Sequence, residues 1–240
     1  MIGLWVWAGC AWLRAERVED PLVVPLQQAD AAWRARSQGG LDPVREALAA
    51  LNATAAGDAR ILWRLARLHW LEGFLATSEG DARNHWETGR EYAGTCLTTD
   101  PDILAALRQN GWRIADGALA TASPEQRPCI LWGAGNGLAL VELRGPGGAL
   151  DAAAACAMTD RAAELVGADE PGLLDWEQGL CAWWLLEDGP VAMRHWTAAA
   201  QSGNALYLLA AQQYAADTPI PFVAKPGYEL EADAARARAY

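Results

Sequence analysis

An all-α fold of the tetratricopeptide type, antiparallel helix pairs stacked in a right-handed array, is what this sequence predicts, on three observations. First, 51 of the 240 residues are Ala and few are Ile or Val, so helix formers far outnumber the β-branched residues that favour strands. Second, 13 Trp stand against 2 Phe and 5 Tyr, and several recur at repeat spacings. Third, the tetratricopeptide pattern fits in register at Trp176, with Trp183 at +7, Ala192 at +16, Trp196 at +20 and Ala199 at +23; only the closing Pro is missing, because Asn204 stands at +28. One helix pair cannot bury its apolar face alone, so neighbouring pairs stack and share a core.

The chain divides into residues 1–20, a repeat domain at 21–218 and a tail at 219–240. The start runs through seven apolar residues into Ala8-Gly9-Cys10 and turns polar at Arg14-Ala15-Glu16-Arg17. That order matches the end of a bacterial lipoprotein signal, in which small residues precede a cysteine that carries lipid. Cys10 is therefore either a lipidation site or part of a short apolar helix packed on the domain. The first pair is anchored at Trp33, with Ala49 at +16, Ala56 at +23 and Gly39-Gly40 between its helices. Trp63, with Trp70 at +7, anchors the second, whose partner helix ends at Cys96-Leu97-Thr98-Thr99-Asp100-Pro101. A segment near 102–120 follows. Trp132 opens a pair whose second helix runs from about Asp151 to Val166, after the turn Gly145-Pro146-Gly147-Gly148. The Trp176 pair turns at Glu187-Asp188-Gly189-Pro190, where Pro suits a first helical turn. A closing helix near 205–216 and a short amphipathic helix from Glu229 complete the reading.

Composition excludes several functions. Hydrophobic residues are 52% and charged ones 20%, as in globular proteins. A net charge of −11 argues against nucleic acid and anionic membrane surfaces, which need a basic face. No apolar stretch reaches the 18 or so residues of a membrane span. Five cysteines, Cys10, Cys96, Cys129, Cys156 and Cys181, form no C-x-x-C pair, which disfavours structural zinc. Without a lipidated Cys10, four remain and permit three disulfide pairings; single cysteines in apolar helices read in the first place as buried thiols. His69, His85 and His195 are scattered, with no H-E-x-x-H and no carboxylate at ligand spacing. Gly133-Ala134-Gly135-Asn136-Gly137 is not a dinucleotide loop, and no Walker loop or nucleophile elbow occurs. The expectation is a non-enzyme with no metal and no cofactor.

A binding groove is what remains. In such repeats the first helix of each pair lines the concave face, at offsets −2, +1, +5 and +8 from its Trp, a single helical stripe. The stripe contains Ala31, Arg34 and Gln38, then Ile61, Arg64, Leu68 and Leu71, then Ile130, Gly133, Gly137 and Leu140, and finally Leu174, Glu177, Cys181 and Trp184. Arg34 and Arg64 beside apolar walls suit a small hydrophobic carboxylate, or are two solvated arginines. Gly133 and Gly137 either leave room for a ligand or allow close helix approach. Asn136, at +4 from Trp132, either braces the helix pair or reaches a bound polar group, since a buried amide needs partners.

The chain resembles the TRAP-transporter-associated tetratricopeptide proteins (the TatT component family), bacterial periplasmic lipoproteins. The likeness spans roughly residues 26–216. It rests on Leu26-Gln27-Gln28-Ala29-Asp30-Ala31-Ala32-Trp33-Arg34-Ala35-Arg36, on Gly89-Arg90-Glu91-Tyr92-Ala93 leading to Asp100-Pro101, and on Cys129-Ile130-Leu131-Trp132-Gly133-Ala134-Gly135-Asn136. It continues through Gly179-Leu180-Cys181-Ala182-Trp183-Trp184 and Ala192-Met193-Arg194-His195-Trp196. The resemblance implies a periplasmic homotrimer anchored to the membrane through lipid alone. It would engage the solute-binding protein of a tripartite organic-acid transporter and hold a hydrophobic ligand passage. The alternative is a general repeat scaffold, in the envelope or the cytoplasm, without a transport role.

Overall fold

The computed structural model describes residues 20–114, 117–144, 149–167 and 172–201. Cys10 and the rest of the N-terminal segment, the turn at 145–148, the helix expected near 205–216 and the tail lie outside the described residues. Among the described residues every regular element is helical: α1 (Val23–Arg34), a single turn α2 (Arg36–Gly39), α3 (Asp42–Thr54), α4 (Ala59–Leu75), α5 (Glu79–Leu97), α6 (Pro101–Gln109), a 3₁₀ turn (Pro124–Gln126), α7 (Arg127–Arg144), α8 (Ala149–Glu164), α9 (Leu173–Trp184) and α10 (Gly189–Ala200).

Helix starts are written locally. Asp58 accepts from the Arg60 amide, Ser78 from Asp81, Asp100 from Asp102 and Ile103, and Asp188 from Val191, each filling an orphan donor of a first turn. Ser123 and Gln126 close a reciprocal capping box before α7. The apolar faces recur at helical spacing, Val44, Leu48 and Leu51 on α3 and Leu26, Ala29 and Trp33 on α1.

The helices pack in order. α1 lies on α3, α4 on α5, α7 on α8 and α9 on α10, and the pairs join through α3–α4, α5–α7 and α8–α9. α4 also touches α7, and α7 touches α9. Four helices therefore surround α7, and every residue from Cys129 to Val141 is buried.

Close approach is achieved by glycine notches. A Cβ on Gly73 would collide with the Trp86 indole, and one on Gly179 with that of Trp196. Each seated indole donates across the pair to a carbonyl three residues before its glycine, Trp86 Nε1 to Trp70 O at 3.1 Å and Trp196 Nε1 to Trp176 O at 3.3 Å. The same device thus serves α4–α5 and α9–α10. It corrects the register of the second pair: the counterpart of Trp176 is Trp70, while Trp63 is half-buried on another face. In the first pair Ala49 and Ala56 are exposed, and Val44, Leu48 and Leu51 supply the core contact instead. Spacing from Trp33 misplaces them because Trp33 sits at the end of α1 rather than near its middle.

The cysteines also depart from the expectation of buried thiols. Cys96 is bonded to Cys129, joining α5 to α7, and Cys156 to Cys181, joining α8 to α9; the Cα atoms are 5.7 and 5.5 Å apart, within the usual disulfide range. Each bond bridges two successive helix pairs rather than the two helices of one pair. Inter-pair packing, absent from any single helix pattern, is what brings these sulfurs together.

Candidate functional site: a histidine–glutamate cluster beside a helical cleft

The groove stripe is largely interior. Ile61, Leu68, Leu71, Ile130, Gly133, Gly137, Leu140, Glu177 and Cys181 are buried, while Ala31, Arg34 and Gln38 are exposed on the first pair. A Cβ on Gly133 would strike Met158 of α8, and one on Gly137 would lie 3.2 Å from the Ala155 Cβ. The two glycines therefore serve close helix approach, and the space that a ligand would need is filled by α8.

Asn136 braces. Its Nδ2 donates to Ala66 O at 3.0 Å and Trp132 O at 2.7 Å, linking α7 to α4. The amide is seated in a notch at Gly89 of α5, and its Oδ1 accepts no hydrogen bond among the described residues. Glu177 is buried and accepts from Thr159 Oγ1 at 3.3 Å. Half-buried Trp184 donates to Glu142 at 3.0 Å, and burial pushes the Glu142 carboxyl up to about 8 despite that bond.

Arg64 already has a carboxylate. It grips Asp30 of α1 through Nε at 2.8 Å and Nη2 at 2.5 Å, and its guanidinium lies 4.1 Å from the centre of a Trp63 ring. Arg67 lies 4.1 Å from a Trp33 ring centre and 5.0 Å from a Trp63 ring centre, and also reaches Asp30. Burial raises the Asp30 carboxyl, but the Arg64 bond and the two guanidinium charges hold it below its ordinary value. This stack of arginines on indoles is the joint between α1 and α4, and it uses the charge that the sequence offered to a ligand.

The open chemistry lies elsewhere, where α3, α4 and α5 meet. A cleft of about 460 Å³ is lined by Arg45, Ala49, Asn52 and Ala53 of α3, by Leu65, Leu68, His69 and Glu72 of α4, and by Tyr92 of α5. Leu65, Leu68, His69 and Glu72 stand at i, i+3, i+4 and i+7, one face of α4. At the cleft His69 Nδ1 and His85 Nδ1 are 3.2 Å apart, and Glu72 Oε2 lies 3.3 Å from the first and 3.2 Å from the second. Arg45 Nε holds the other carboxylate oxygen, Oε1, at 2.5 Å, and Asp42 holds Arg45. Tyr92 stacks on His69, with ring centroids 5.5 Å apart and planes inclined by 19°. Burial, helped by the charges of His85 and Arg45, pushes the His69 imidazole below its ordinary value against the opposing pull of the Glu72 carboxylate.

Of the predicted site residues, this cleft contains only Leu68. The expectation of no carboxylate at ligand spacing is thereby corrected: Glu72 stands three residues from His69 on one helical face, and no local pattern in the sequence ties the two to His85 on the next helix. His69-x-x-Glu72 is the one signal of it in the sequence.

Fold and site together define an all-α stacked-helix protein, cross-braced by disulfides, with a polar cluster at a half-apolar cleft. No family model matches the chain, and no curated protein or solved structure matches it.

Proposed function

We propose that the chain is a non-enzymatic scaffold of the bacterial periplasm, an accessory of a TRAP-type transporter that binds the solute-binding protein. The observation that carries this reading is the pair of disulfides, Cys96–Cys129 and Cys156–Cys181. Such bonds persist in oxidising compartments and are rare in the cytosol, which supports an exported protein. By spanning the α5–α7 and α8–α9 junctions they hold successive helix pairs in fixed relation, which suits a docking surface. The tetratricopeptide register around Trp176 and the order of the resembling segments support the transport role. No helix among the described residues is long and apolar enough to cross a membrane; attachment through lipid on Cys10 belongs to the same proposal. A small carboxylate with a hydrophobic body would lie in the α3–α4–α5 cleft rather than on the stripe through Arg34 and Arg64, with Leu65 and Leu68 as its apolar wall.

The test uses the tagged full chain in its own bacterial host. Maleimide trapping before reduction should leave Cys96, Cys129, Cys156 and Cys181 unlabelled, and a solute-binding protein encoded beside the chain should co-purify with it. Labelling of those four cysteines in intact cells would remove the periplasmic assignment. Recovery of folded chain without that partner, after crosslinking, would remove the transport role.

A further inference from the structure

The Nδ1 atoms of His69 and His85 and Oε2 of Glu72 form a nearly equilateral triangle with edges of 3.2, 3.3 and 3.2 Å. Three ligands on one face of a tetrahedron with such edges are each about 2.0 Å from its centre, the Zn–N and Zn–O bond length. We propose that His69, Glu72 and His85 bind one divalent transition cation of the zinc type, with a fourth position reached from the cleft. This is independent of any role in transport.

Four features of the surroundings support it. Two imidazole nitrogens and one carboxylate oxygen suit zinc and its neighbours rather than calcium or magnesium, which take oxygen ligands. Arg45 occupies the carboxylate oxygen that faces away from the triangle and so aims Oε2 inward, while Tyr92 fixes the plane of the His69 ring; supporting contacts of this kind orient metal ligands. Access is graded: the Glu72 side chain is 7% exposed, His69 21% and His85 35%, so the triangle is rooted in the protein and open on one side. Finally, His69 and Glu72 line the cleft, and three protein ligands with a free coordination site are the pattern of zinc centres that keep a water or a ligand group. His69, Glu72 and His85 are also a group among the described residues whose ligand atoms converge closely enough to hold an ion. The bound ion would fasten α4 to α5, and through Arg45 would couple that pair to α3.

The experiment uses the untagged full chain, disulfides intact and stripped with chelator, titrated with ZnCl₂ by calorimetry and with CoCl₂ by visible absorption. One ion per chain is expected, with a tetrahedral Co²⁺ band that Zn²⁺ abolishes. Arg45→Met should weaken Zn²⁺ binding by about 10–100-fold, and His85→Gln and Glu72→Gln should each weaken it further, whereas His195→Gln should leave it unchanged. A readout without substitution guards against variants that fail to fold: Zn²⁺ should protect His69 and His85, but not His195, from diethylpyrocarbonate. Absence of saturable binding by the wild-type chain would overturn the proposal. So would unaltered affinity in folded His85→Gln and Glu72→Gln, or equal carbethoxylation of His69 and His85 with and without the ion.

Discussion

A glycine in the middle of a helix costs about 1 kcal/mol relative to Ala, yet α7 contains Gly133, Gly135 and Gly137, and α4, α5 and α9 place Gly73, Gly89 and Gly179 at contacts. Each loss is offset by what the missing Cβ admits: Trp86 at Gly73, Asn136 at Gly89, Trp196 at Gly179. Gly179→Ala should therefore destabilise the fold, by about 1–3 kcal/mol for an overpacked core, because Trp196 must leave the Trp176 carbonyl; urea unfolding measures it. At Glu142 the argument concerns protons. Its folded carboxyl titrates at about 8 against an ordinary 4.5, so between those values the folded state holds a proton that the unfolded chain has released. Stability falls as pH rises through that window. Glu142→Gln, which keeps an oxygen for the Trp184 N–H, should flatten the fall, so that melting temperatures at pH 5 and pH 8.5 differ less than in the wild type. Unchanged pH dependence would rule out a protonated Glu142.

At the scale of elements, the junctions between pairs are where the covalent cross-links lie. Each disulfide closes a substantial loop, with sequence separations of 33 and 25 residues, and chain entropy assigns each about 3–4 kcal/mol. Replacing Cys156 and Cys181 together by Ser should lower the unfolding free energy by about 3 kcal/mol while leaving far-ultraviolet circular dichroism unchanged. A variant as stable as the wild type would mean that α8 and α9 are held by packing alone. The α1–α4 joint rests on Asp30 between Arg64 and Arg67. Asp30→Asn would remove the carboxylate from two cations stacked on Trp33 and Trp63, and because Asp30 is 26% exposed the cost should be about 1–2 kcal/mol. Because the folded Asp30 carboxyl is held below its ordinary value, its contribution is present above that value and fades as acid protonates it. The difference between wild type and variant should therefore narrow at low pH, as read by thermal unfolding across an acid series.

At the scale of the whole molecule, α7 is the hub, touched by α4, α5, α8 and α9 and buried throughout from Cys129 to Val141. Its one amide side chain, Asn136, ties it to α4 through the Ala66 carbonyl. Asn136→Asp would place a carboxylate there and should destabilise the chain by about 3 kcal/mol or more at pH 7, with partial recovery in acid as the group neutralises; denaturant titration at the two pH values checks both statements. From the sequence alone came the helical class, the turn at Glu187-Asp188-Gly189-Pro190, the Trp176 pair and the Gly39-Gly40 break between α1 and α3. Apolar periodicity and turn chemistry act within a few residues, so a linear pattern contains them. Tertiary structure alone decided which cysteines bond, which tryptophan anchors the second pair, that Arg64 meets Asp30 rather than a ligand, and that His69 and Glu72 meet His85. Those outcomes depend on how closely one helix approaches another, a distance set between α4 and α5, α5 and α7, and α9 and α10 where an indole or an amide seats in a glycine notch.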